Sequence, residues 1–347
     1  MLLPGAAGLL RRQSAATAKL RNLSYPLRSI EGSITPADLF FIRDHFNEPE
    51  LSLEDWTLKV EGRVERPYEL TAADLIEMPS TKVEAVLECA GNRASGSAAS
   101  NGEWEGVSMR SLLEAAHVKT QGRFVMLEAA DEGRLFKDKP VSRYSQVVPI
   151  EKCLDAASLV AYKLNGRFLP RGNGFPARAI FPGWYAMDSV KWLRRIVVLA
   201  SDEPSTFTDS GMDRLYNREI QEGAHLRETR LTEIQVKSAI AWPGGDITVP
   251  AGKHVVWGFA WTGAGSIKSV SVSVDSGARW AAARLESKPA AYAWVRWSFD
   301  WETAPGEYVV MSRAMDDRGF EQPLQRQTGR KDGYEANWCL PVRCRVV

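Results

Sequence analysis

An α+β domain followed by an immunoglobulin-like β-sandwich is the architecture this sequence predicts, and three observations predict it. The chain has 347 residues, more than one hydrophobic core usually serves, so two globular domains are the default expectation. Up to about Ala200, helical and strand-like patterns mix without the regular alternation of a doubly wound sheet. From Val236 onward the pattern changes to short, evenly spaced strands with Gly, Pro or Asp at the turns, as a sandwich requires.

Along the first half, WTLKVEGRVERPYEL reads as a strand pair broken by Gly62 and Pro67, and AADLIEM as a short helix. VEAVLECAGN reads as a buried strand ending on a glycine turn, MRSLLEAAHV as a helix and RFVMLEAAD as a strand. PIEKCLDAASLVAYKLNG predicts a short helix and a strand. The loop RFLPRGNGFPARAIFPGWYAMDS then crowds glycines and prolines around Arg171 and Arg178 before the strand VKWLRRIVVLA. A loop of that length usually builds a site. Residues 202–231 show little periodicity and read as an interdomain crossing, which places the first domain at 34–201 and the second at 232–347. In the second, KSAIAWP, ITVPAG, KHVVWGFAW, IKSVSVSVDSG, ARWAAARLE, YAWVRWSFDW, EYVVMSRAMDD and CLPVRCRVV read as strands. With no Cys pair between sheets, its core is expected to rest on Trp257, Trp261, Trp294 and Trp297.

Composition excludes several classes. The 44% hydrophobic and 25% charged content is that of a folded globular protein. Lys plus Arg number 44 against 43 Asp plus Glu, so no whole-molecule field attracts nucleic acid or an anionic membrane, and an anion site must be local. No apolar run approaches the ~20 residues of a membrane helix. Cys89, Cys153, Cys339 and Cys344 form no CxxC pair, CxxCH haem motif or zinc spacing, and read as free thiols. The opening residues MLLPGAAGLLRRQSAATAKLRN lack acidic side chains and slightly resemble a transit peptide, and their Arg11-Arg12 pair follows the apolar run, whereas a twin-arginine export signal places the pair before it. Residues 1–33 are therefore taken as a flexible arm and the protein as cytoplasmic.

Cys89 is the residue most suited to chemistry. It lies at a strand end, with Gly91 and Asn92 turning the chain and Arg93 nearby to favour a thiolate. A lone cysteine is more often a small core residue, and Arg43 and His45 in FIRDH, taken alone, more often belong to a solvated face beside a helix start.

Longer motifs decide between these readings. ECAGNR resembles the signature around the molybdenum-binding cysteine of the sulfite oxidase family of molybdopterin-dependent oxidoreductases, in its bacterial branch. FFIRDHFNEP resembles the family motif that brings an arginine and a histidine to the metal centre and pterin, here Arg43 and His45. RGNGFPARAIFPG followed by SVKWL resembles the pterin-cradling loop and strand, implicating Asn173, Arg178, Ser189 and Lys191, and Asp131 in LEAAD matches another cofactor contact. The resemblance runs from about Ile34 to the C-terminus. It implies a sulfite oxidase fold, a Mo-molybdopterin cofactor with Cys89 as metal ligand, and a C-terminal domain that makes a homodimer. Arg43 would position the substrate, and Tyr216 in DRLYNRE would be the catalytic tyrosine. GRKDGYEANW resembles a stretch that returns an arginine to the site, nominating Arg330 or Lys331.

The chemistry is consistent with this. An anionic pyranopterin needs guanidinium and ammonium donors, and a thiophilic metal needs soft sulfur. The implied function is oxygen-atom transfer to a small sulfur oxyanion, sulfite to sulfate, with electrons leaving to a separate acceptor such as a cytochrome, since no haem motif is found. Two departures keep a sulfoxide reductase on the same scaffold in play. Ala94 stands where sulfite-specific enzymes carry a second arginine, and Asn173 where animal and plant enzymes carry histidine. A cofactor-free two-domain binding protein is the more distant alternative. Trp104, in the small-residue stretch after Cys89, is expected to be a structural tryptophan.

Overall fold

The computed structural model describes residues 20–134, 141–201, 217–222, 225–326 and 333–347. Most of its regular structure is sheet, and the α-helices among the described residues are short. Ala72–Glu77 starts on a capping box, in which Asp74 N donates to Thr71 Oγ1 at 3.2 Å and Thr71 N donates to the Asp74 carboxylate at 2.8 Å. It stops at Met78, whose extended backbone is what a following proline imposes.

Two five-stranded sheets build the N-terminal half. One runs Arg167–Phe168, Leu159–Leu164, Ala99–Ser108, Ser80–Glu88, with Arg178–Ile180 also paired to Leu159–Leu164, all antiparallel. The other runs Tyr68–Thr71, Thr57–Gly62, Leu193–Leu199, Phe124–Gly133, Ser142–Pro149, with Thr57–Gly62 and Leu193–Leu199 parallel. Leu58, Leu127 and Ile196 from one sheet join Val107 and Val160 from the other, and Met109, Leu112 and Leu113 of the helix Met109–Ala115, in one core.

Ala99–Ser108 is a strand in a small-residue stretch to which the sequence reading assigns no element. Its glycines mislead because they answer a close approach. A Cβ at Gly106 would stand 2.1 Å from Val160 O on the neighbouring strand, at a register shift between Glu105 and Gly106. Ser142–Pro149 is likewise a strand not foreseen.

The C-terminal half is two sheets. Arg284–Leu285, Val295–Thr303, Gly252–Trp261 and Lys237–Trp242 form one, and Ile247–Val249, Val342–Val346, Gly306–Asp316, Ile267–Ser273 and Ala281–Ala282 the other. Val256, Val295, Trp297 and Trp301 of the first meet Val270, Val310 and Val346 of the second in a shared core. ARWAAARLE, read as one strand, divides into two short pieces serving different sheets.

The tryptophans correct the sequence reading. Along Gly252–Trp261, Val256 and Ala260 face the sandwich core, whereas Phe259 and Trp261 are buried in the core of the N-terminal half, with Trp257 packed against it. The two-residue period of a strand sends alternate side chains to opposite faces, so this sheet is apolar on both. Trp261 and Trp294 seal the junction between the halves, and Trp297 with Trp301 fills the sandwich.

Within the stretch read as an interdomain crossing, Asn217–Glu222 and His225–Arg230 form an antiparallel hairpin. Part of the segment assigned to a flexible arm is also packed. Asn22–Leu23 pairs with Ile42–Arg43, and Leu27 and Ile30 are buried in the N-terminal core. All four cysteines are free thiols, and among the described residues no helix is long and apolar enough to cross a membrane.

Candidate active site

A cavity of about 350 Å³ lies at the end of the strand Ser80–Glu88. Cys89 is on its wall, as the only one of the four cysteines that is not buried. The turn that presents it is closed by its own backbone. Cys89 N donates to Ala98 O at 3.0 Å, Asn92 N donates to Cys89 O at 2.8 Å, and Ala98 N donates to Asn92 Oδ1 at 2.9 Å.

Glu88, the preceding residue, anchors this turn to the C-terminal half. Its carboxylate accepts from Lys237 Nζ at 2.9 Å, Trp261 Nε1 at 2.8 Å and Asn92 Nδ2 at 2.8 Å. Lys237 also donates to Arg93 O at 2.8 Å. Short-range sequence patterns do not foresee this ion pair, because its partners are far apart in the chain.

Separate elements deliver the other polar groups to the cavity. Arg43 ends the strand Ile42–Arg43, His45 follows it, and Asp131 lies on Phe124–Gly133. Asn173 closes the 3-10 turn Arg171–Asn173, and Arg178 starts Arg178–Ile180. Gly174 must be glycine, since at φ +107° a Cβ would meet Arg178 Cβ at 3.0 Å and Lys191 Cα at 3.2 Å. That close approach brings the loop's carbonyls to the guanidinium. Arg178 donates to Asn173 O at 3.0 Å and Ser189 O at 2.6 Å and lies over the Trp104 ring at 5.3 Å. Trp104 itself is fully buried and donates to Ala85 O at 3.3 Å, which makes it a structural support. Lys191 pairs with Asp44, donates to Gly172 O at 3.1 Å and sits over Trp192 at 4.1 Å.

Burial sets the electrostatics. Desolvation pushes the Lys191 ammonium down to about 8 and the Arg178 guanidinium to about 9, though both remain cationic at neutral pH. His45, stacked on Tyr144 at 5.1 Å, is held down at about 4 by desolvation and then by Lys191, so it is neutral. Asp131 is raised to about 7, chiefly by desolvation.

Three residues that line this cavity each carry a buried side-chain atom, Arg43 Nε, Arg178 Nε and Asp131 Oδ1, with no hydrogen-bond partner among the described residues. Unsatisfied buried polar atoms are costly, and a cavity lined by two such guanidinium side chains suits a polar, anionic guest. The raised Asp131 has a measurable consequence. Its native carboxyl holds a proton that the unfolded chain has already lost between about pH 4 and 7, so its contribution to stability is present below pH 4 and lost as the pH rises through 7. In protein made without cofactor, the stability of wild type relative to Asp131→Asn is expected to fall over that window by up to about 4 kcal/mol. Denaturant midpoints of the two proteins across pH would check this, and parallel curves would refute it.

Cys89, Arg43, His45, Asp131, Asn173, Arg178, Ser189 and Lys191 thus all line one cavity. Tyr216, Arg330 and Lys331 lie outside the described residues. Ala94 does not line it, but faces a second cavity with Leu27, Ser238 and Ala241. Tyr144, Met187, Trp192 and Tyr334 also line the site and were not foreseen. Only GYEANW offered a signal for Tyr334, and there the nearby cations drew the reading instead.

Comparison with known proteins identifies the family. Residues 45–207 match the oxidoreductase molybdopterin binding domain, and residues 228–338 match the Mo-co oxidoreductase dimerisation domain. The chain is 32% identical over 320 residues to chicken (Gallus gallus) sulfite oxidase, covering 84% of this chain and 69% of that one. It is 30% identical to nitrate reductase [NADH] 2 of Phaseolus vulgaris, with 87% of this chain and 38% of the reductase aligned. Human mitochondrial sulfite oxidase is also 30% identical, with 84% and 58% covered, so the chain spans little more than a third to about two thirds of these relatives. Among solved structures, the sulfane dehydrogenase SoxCD from Paracoccus pantotrophus superposes with a TM-score of 0.82 at 29% identity, covering 92% of this chain and 83% of that one.

Proposed function

The chain belongs to the sulfite oxidase family of molybdopterin-dependent oxidoreductases, and from that premise we propose that it catalyses oxygen-atom transfer to a small sulfur oxyanion, sulfite to sulfate, passing electrons to a separate acceptor such as a cytochrome. One observation carries the reading: the free thiol of Cys89 shares a cavity with Arg43 and Arg178, whose buried Nε atoms have no partner among the described residues. The molybdenum cofactor, when bound, supplies the two-electron oxygen transfer.

The chain's own groups do the rest. Cys89 Sγ, as a thiolate, is the protein's soft ligand to the metal. Arg178, kept cationic, and Lys191 would hold the anionic pterin by their charge. Asn173, Ser189 and neutral His45 would supply uncharged polar contacts to the cofactor, and Asp131 would add a further polar contact. Arg43 would orient the oxyanion. Tyr216 is proposed as a hydrogen-bond donor to substrate. We place the domain boundary in 202–231, read the C-terminal half as an immunoglobulin-like sandwich, and assign it the dimer contact.

The test is elemental and kinetic, on protein from a host that synthesises molybdopterin. Wild type should hold near one molybdenum per chain and oxidise sulfite with an artificial electron acceptor. In Arg178→Ala molybdenum should fall at least tenfold, since one buried charge-assisted contact is worth about 1.5–3 kcal/mol. Reduction of sulfoxides without oxidation of sulfite would favour the reductase alternative, for which Asn173 speaks. Wild type without molybdenum would overturn the assignment.

A further inference from the structure

Tyr334 reaches the Cys89 turn from the C-terminal stretch of the chain, and its backbone is held on both sides. Arg326 Nη2 donates to Tyr334 O at 2.9 Å, and Glu335 N donates to Ala90 O at 3.0 Å, inside the turn itself. Gly333 at φ +90° and Glu335 at φ +51° flank it with left-handed backbone, the sharp bend that such conformations make. Further on, Asn337 Nδ2 donates to Val236 O at 3.3 Å and Trp338 lies under Arg326 at 5.2 Å.

Gly91 shows where the ring is. A Cβ built there would lie 3.7 Å from the Tyr334 ring and 3.9 Å from Cys89 Sγ, so ring and sulfur flank the small gap that this glycine leaves. Cys89 also packs against the apolar cluster containing Leu87 and Phe40. The thiol therefore has a packed aliphatic and aromatic wall on one side and, on another, a phenol ring with few rotatable bonds. Such a ring limits size more firmly than a flexible chain.

We propose that Tyr334 is a specificity-determining residue, whose ring closes the site beside Cys89 so that a compact sulfur oxyanion fits and sulfur compounds bearing bulky organic groups do not. The proposal rests on the sulfur chemistry assigned above, and it makes the C-terminal half part of the substrate site. A pocket wall discriminates by roughly 10- to 200-fold for a group the size of a methylene, and removal of a whole ring should change selectivity at least as much.

Holoenzyme forms of wild type, Tyr334→Phe and Tyr334→Ala are compared by kcat/KM for benzenesulfinate relative to sulfite. Tyr334→Ala should raise that ratio at least tenfold and Tyr334→Phe should leave it within twofold. An unchanged ratio in Tyr334→Ala overturns the proposal.

Should wild type oxidise neither compound, the functional assignment fails separately, and a second measurement still decides about the ring. In full-length protein made without cofactor, Cys89 is the one thiol that is not buried, and Cys89→Ser provides the blank. The rate of its modification by benzyl methanethiosulfonate relative to the methyl reagent should rise at least tenfold in Tyr334→Ala, and equal ratios reject the wall.

Discussion

Cys89→Ser is expected to lower sulfite turnover about a thousandfold, roughly 4 kcal/mol of barrier, while pterin content stays within about twofold of wild type. The two readouts separate because the structure separates the groups. Those proposed to hold the pterin, Asn173, Arg178, Ser189 and Lys191, come from elements other than the Cys89 turn. The turn is closed by backbone groups and Asn92, so serine should preserve its shape. What changes is the donor. A serine hydroxyl stays protonated at neutral pH and offers hard oxygen where a thiophilic metal prefers soft sulfur. Steady-state kinetics together with metal and pterin analysis of one preparation would check this. Wild-type turnover in Cys89→Ser would remove this residue from the proposed role.

The second large effect concerns folding. Lys237→Met should destabilise the protein by about 3–5 kcal/mol, because it strands the Glu88 carboxylate in the interior. The pair is almost wholly excluded from water, with side-chain exposures of 1% for Lys237 and 4% for Glu88. Thermal unfolding should shift down by roughly 5–15 °C. Trp261 and Asn92 would still donate to Glu88, which keeps the loss from being larger. Adding Glu88→Gln to Lys237→Met should recover more than half of it, since no charge then remains unpaired. Unfolding of Lys237→Met at the wild-type temperature would mean that the pair contributes nothing to stability.

Local patterns carried much of the site. ECAGN reads as a strand meeting a turn, and the structure has Cys89 at that junction with Asn92 closing it. RGNGFPAR reads as a loop that builds a site, and its Gly174 is what allows Arg178 and Lys191 to approach each other. The strands of the C-terminal half are legible because alternation and turn residues are properties of neighbours in sequence, as Gly252–Trp261 and Val295–Thr303 illustrate. Ala99–Ser108 was illegible for the opposite reason. Its glycines look like loop until the strand Leu159–Leu164 is seen beside them.

By itself, then, the sequence marked the family and the residues Cys89, Arg43, His45, Arg178 and Lys191 through the motifs that resemble it, and the two-part architecture through its length and the change of pattern along the chain. Tertiary structure alone decided that Trp261 and Trp294 seal the junction between the halves, that Lys237 neutralises Glu88, and that Tyr334 stands beside the thiol. These depend on which face of a strand meets which partner across the fold. A periodic pattern shows that two faces exist, but only long-range packing determines what each one touches.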